Sequence, residues 1–146
     1  MRADVQRDRS AVTTAIYAIL NPLPFGFFVA ALIFDITYLR SGGILWDKSA
    51  AWLIAIGLVL AVVPRLINLA QVWITSRALA TRGDRIDFGL NLVAIVVAIL
   101  NAFVHSRDAY GSMPAGVWLS LLTVILLTIS HGASAVRANR QGDGHE

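Results

Sequence analysis

Residues Ile86 to His105 read Ile-Asp-Phe-Gly-Leu-Asn-Leu-Val-Ala-Ile-Val-Val-Ala-Ile-Leu-Asn-Ala-Phe-Val-His. About 20 mostly apolar residues is the length a helix needs to cross the hydrocarbon core of a bilayer. The polar members of the run are not scattered. Asp87, Asn91, Ala94, Ala98, Asn101 and His105 follow one another at spacings of 4, 3, 4, 3 and 4, which puts them on one helical stripe. Ile, Val and Leu fill the other faces. An ionisable or amide group facing lipid is costly, so the stripe is expected to face protein, a partner or water.

Three more stretches have this character. Leu23–Leu39 carries Asp35, Ala50–Thr75 carries Arg65 and Asn68, and Ala115–Val136 carries Ser120 and Ser130. The last repeats the stripe with Gly116, Ser120, Thr123, Leu127, Ser130 and Ser134. Small and hydrogen-bonding residues at this spacing suit close helix packing in lipid. The pattern predicts an all-α integral membrane four-helix bundle with spans at about 23–39, 50–75, 86–105 and 115–136. Packing seams are the leading reading of the stripes. A polar pathway or ligand pocket is the alternative.

The composition agrees. The 146 residues are 57% hydrophobic and 14% charged, with mean hydropathy +0.68, whereas soluble domains carry about a quarter charged residues. Residues 1–10 and 137–146 read as flexible tails around one membrane domain, 11–136. Met1–Ser10 is too polar for the apolar core of a cleaved signal peptide, and none is expected. Within Ala11–Leu20, the residues Val12, Ile16, Ile19 and Leu20 predict a short N-terminal interfacial helix. Asn21-Pro22-Leu23-Pro24 breaks it from span one. Ile44–Ser49 reads as a loop with Trp46 at the headgroups, and Ser106–Pro114 as another. Pro64 is expected to kink span two.

There is no cysteine, which excludes disulfides, thiolate metal sites and cysteine nucleophiles. The net charge of +3 sits mostly at span ends, so no nucleic acid is expected. Arg2, Arg7, Arg9, Arg77, Arg82, Arg85, Arg137 and Arg140 flank one side, against Arg40, Lys48 and Arg107 on the other. By the positive-inside rule both termini are cytoplasmic, and the expected location is a cell inner membrane. Trp46, Trp52 and Trp118 then anchor the outer interface, and Trp73 the inner.

Depth at about 1.5 Å per residue sorts the polar groups into two layers. Asp35, Asn101, His105 and Ser120 fall toward the outer side. Arg65, Asn68, Asp87, Asn91 and Ser130 fall toward the inner side. Asp35 is expected to pair with Asn101 or His105, or to accept backbone and hydroxyl donors. Arg65 is expected to take Asn91, Ser130, Asp87 or carbonyls freed near Pro64. No direct Asp35–Arg65 ion pair is expected. His105 and His131 lie near opposite ends of the bundle, so they cannot share a metal. No phosphate loop, nucleophile elbow or zincin signature is present. No enzyme activity, cofactor or metal is expected.

The segment Leu23-Pro24-Phe25-Gly26-Phe27-Phe28-Val29-Ala30-Ala31-Leu32-Ile33-Phe34-Asp35 resembles the start of a bacterial membrane family, domain of unknown function 2231. The resemblance continues through Ala51-Trp52-Leu53, Gly57-Leu58, Pro64, Asn91-Leu92, Leu119-Ser120-Leu121-Leu122 and Ser130. It implies four membrane helices and no established activity. Some relatives are joined to Rieske iron–sulfur domains, which implies a context of membrane electron transfer. Many relatives have a His-Pro pair and a further histidine where this chain has Tyr17-Ala18 and Pro22. Asn68 stands where an aspartate is common, and Asp87 near a common histidine. These departures weigh against a metal, haem or redox centre here, while Asp35 is kept.

The expected role is a small subunit or scaffold of a membrane complex, redox-associated by family analogy. The alternative is a small transporter or proton-conducting protein using Asp35 and the stripe of span three. Expected partners are the lipid bilayer, a membrane redox or respiratory protein, and a second copy through the small-residue face of span four.

Overall fold

The computed structural model describes residues 22–75, 82–107 and 109–142. The expected interfacial helix at Ala11–Leu20 lies outside them. Pro22 and Pro24 open the first helix, α1 (Leu23–Ser41), where the missing N–H of proline costs nothing. Gly42 closes it with φ 68°, donating its N–H to the Tyr38 carbonyl at 2.8 Å. Only glycine reaches this left-handed conformation without a Cβ penalty. The next helix begins at once as α2 (Ile44–Thr75).

The expected loop Ile44–Ser49 is therefore corrected: it forms the first turns of α2. The physical reason is local. After Gly43 no residue before Pro64 breaks a helix, and the αL cap at Gly42 turns the chain without further loop. Pro64 stands inside a continuous α2. The third helix, α3, is Arg82–His105. One turn, α4 (Ala109–Ser112), lies within the expected loop Ser106–Pro114. The last helix, α5 (Ala115–Gly142), runs past the expected boundary at Val136.

The four long helices form a ring in which α1 packs on α2 and α5, and α3 packs on α5 and α2. Short connections make them run up, down, up and down. Phe28, Ala31, Ile54, Ala94, Ala98 and Leu127 meet at the centre. Five of the buried core positions are alanines that are almost wholly enclosed: Ala31, Ala50, Ala61, Ala94 and Ala98. Small side chains let helix axes approach closely. Gly57 serves the same end, because a Cβ there would lie 3.2 Å from both Phe27 and Phe28.

The exterior is apolar. Ile33, Leu39, Trp52, Val59, Leu92, Phe103, Trp118 and Ile129 point outward, while Asp35, Asn101, His105, Ser120 and Ser130 are buried. That is the reverse of a soluble bundle. Among the described residues four stretches, Leu23–Ser41, Ile44–Val62, Phe88–His105 and Ala115–Ala133, are long and apolar enough to cross a membrane. The chain is a membrane protein with these four as its candidate spans.

Candidate functional site

The buried stripe of α1 is Phe28, Ala31, Asp35 and Tyr38, spaced as one helix face. It delivers Asp35 to the end of the bundle where α3 finishes and α5 begins. On α3, Asn101 and His105 are four residues apart and point inward, as do Gly116 and Ser120 on α5. Three helices thus contribute to one polar cluster.

Asp35 Oδ1 lies 2.8 Å from His105 Nε2. Ser120 Oγ donates to Asp35 Oδ2, and Asn101 Nδ2 donates to Ser120 Oγ at 2.7 Å. His105 Nδ1 is 3.0 Å from the Asn101 carbonyl oxygen. Asp35 is 0% exposed and His105 3%, so these bonds are shielded from bulk water.

The geometry fixes the proton count. A carbonyl only accepts, so His105 Nδ1 carries a hydrogen. One further proton must then lie between His105 Nε2 and Asp35 Oδ1. Placed on nitrogen it gives an imidazolium–carboxylate pair; placed on oxygen it gives two neutral groups. Either way the pair is neutral overall. This is why it tolerates complete burial, since an unbalanced charge would not.

Gly116 makes room for the ring. A Cβ there would stand 2.7 Å from His105 Cε1. Both ring nitrogens are engaged in hydrogen bonds, so a metal at His105 would have to displace one of them.

Two residues absent from the sequence-based expectations belong to the same end. Asp47 and Ser112 are each 0% exposed, and Ser112 Oγ donates to Asp47 Oδ1 at 2.6 Å. Asp47 was concealed by its place in a stretch that reads as loop. The available signal was the unbroken helical sequence after Gly43.

A second polar layer lies toward the other end, where Asn91 Nδ2 donates to Ser130 Oγ. Asn91 is ten residues from Asn101 on α3, about 15 Å along the axis. Between them lie Ala94, Ala98, Leu127 and Phe28, which are apolar and buried. Thr123, also on the inward face, returns its hydroxyl to the Leu119 carbonyl and bridges nothing. Ser130→Ala should lower stability by about 1 kcal/mol, the usual scale for interhelical hydrogen bonds in membranes. Thermal melting in detergent checks this; a loss as large as that from removing Asp35 would contradict the assignment.

Of the expected site residues, the structure joins Asp35, Asn101, His105 and Ser120 in one cluster and Asn91 with Ser130 in another. The helical backbone of Arg65, Asn68 and Asp87 is described, and their side chains lie outside the described set. The expected pairings of Arg65 therefore lie outside it too. His131 meets the edge of Phe25 at 5.6 Å between ring centres, near the second layer. Gly116, Ser120, Thr123, Leu127 and Ser130 are all buried against the chain's own helices. These positions of the face are packed within the chain, and a second copy paired through span four stays a proposal.

The sequence model of a family described as "Predicted membrane protein (DUF2231)" matches residues 13–142. No curated protein and no solved structure matches the chain.

Proposed function

Because the chain belongs to the DUF2231 family of predicted membrane proteins, we propose that it acts by association, as a small subunit or scaffold of a membrane complex. The observation that carries this reading is the apolar core between the two polar layers. A conducting protein needs polar groups or water spanning the bilayer core. Here Phe28, Ala31, Ala94, Ala98 and Leu127 fill that position. The polar side chains that do lie inside tie helices together, so they support a rigid bundle that offers apolar faces to lipid and to other membrane proteins. The redox context comes from the family resemblance alone. The arginine distribution supports an inner-membrane location with both termini cytoplasmic.

The transport reading keeps one observation in its favour: a proton shared between Asp35 and His105 inside the bundle. The two readings separate in one preparation. Affinity purification from native membranes in mild detergent should retain a stoichiometric membrane partner. The purified chain in sealed vesicles should not raise proton permeability. A partner-free homo-oligomer that dissipates a pH gradient would overturn the subunit reading and install the transport one.

A further inference from the structure

The Asp35–His105 pair is sealed from its nearer end by a small piece of chain. After α3 the chain makes the single turn α4, passes Met113-Pro114 and enters α5 at Ala115. This connection packs on both α2 and α3. Gly116, just beyond it, sits against the His105 ring, and the Met113 side chain lies next to Gly116. Among the described residues, a bond from Ser112 to Asp47 ties the connection to α2.

That tie is incomplete. Asp47 Oδ1 is bonded, but Asp47 Oδ2 is buried with no hydrogen-bond partner among the described residues. A buried acceptor without a donor is costly, and water would satisfy it at once. Closure therefore makes the Ser112–Asp47 bond and strands one oxygen. Opening loses the bond and hydrates both oxygens. The stranded oxygen weakens the latch without abolishing it, so the closed arrangement is the populated one and the open arrangement a minor excursion from it. Arg40, Lys48 and Arg107 are exposed around this end, which puts it at the aqueous boundary.

We propose that the 109–116 connection is a gate over the Asp35–His105 pair, latched by Ser112 and Asp47, whose opening admits water to that pair from one end of the bundle. Access is one-sided, because the apolar core closes the far side of the pair. The gate goes beyond the scaffold reading and does not depend on it.

The native chain has no cysteine, so the latch can be made covalent. Wild type, Ser112→Ala and the double variant Asp47→Cys with Ser112→Cys are prepared as full chains in nanodiscs. Diethyl pyrocarbonate acylation of His105 and His131 is followed by mass spectrometry. Ser112→Ala should acylate His105 about tenfold faster than wild type, the factor that follows from losing one hydrogen bond, with the His131 rate unchanged. The oxidised double variant should acylate His105 more slowly than its own reduced form. An unchanged His105 rate in Ser112→Ala overturns the gate, as does equal labelling of the oxidised and reduced double variant. A rise of His105 and His131 together also overturns it, since that signals loosening of the whole bundle. If Ser112→Ala does not fold, the oxidised-against-reduced comparison decides by itself.

Discussion

Asp35→Ala is expected to destabilise the bundle by about 3 kcal/mol, the low end for removing one partner of a buried pair. The truncation strands His105 Nε2 and the Ser120 hydroxyl, both buried in the closed bundle. For a chain of this size that corresponds to a fall of roughly 10 °C in melting temperature. Asp35→Asn should behave differently. With His105 neutral and its hydrogen on Nδ1, the asparagine amide can donate to Nε2 while its oxygen accepts from Ser120. Every bond of the cluster is then kept, and the expected loss is about 1 kcal/mol or less. Melting of the three proteins in one detergent gives the order wild type, Asn, Ala. Equal damage from Asn and Ala would mean that the shared proton, and not the bonding pattern, is what the site requires. A vesicle proton flux in wild type that both substitutions abolish would point the same way.

The second large effect is expected at Gly116. Gly116→Ala puts a methyl group 2.7 Å from His105 Cε1. The ring cannot simply swing aside, because both its nitrogens are held. Overpacking of this kind costs about 1–3 kcal/mol, here with loss of the Asp35–His105 contact added. A double-mutant cycle isolates the cause. In a His105→Ala background the added methyl meets no ring, so Gly116→Ala should cost close to nothing there. If it is as damaging without the imidazole as with it, the glycine serves helix packing in general and not the histidine.

These residues show how far a single sequence carries. The apolar runs and their stripes are local properties, written in periodicity, and the helices follow them closely. Ala94, Ala98, Asn101 and His105 face inward as their spacing requires. Depth is legible as well, because each residue advances a helix by a constant rise. The separation of Asn91 and Ser130 from Asp35, His105 and Ser120 into two layers follows from that alone. Residues Ile44–Ser49 were misleading because Trp46, Asp47 and Lys48 look like an interfacial loop, although nothing in them stops a helix.

The sequence by itself thus determined a four-helix membrane bundle, the inward faces of its helices and the level of Asp35, Asn91, Asn101, His105, Ser120 and Ser130. The tertiary structure alone decided which groups at one level touch. Depth runs along a helix axis, but contact depends on the order of helices around the ring and on their rotation. Hence the choice of His105 and Ser120 as partners of Asp35, the glycine notch behind the ring, the Ser112–Asp47 tie and the use of the α5 small-residue face inside the chain all appear only when the four helices are packed together.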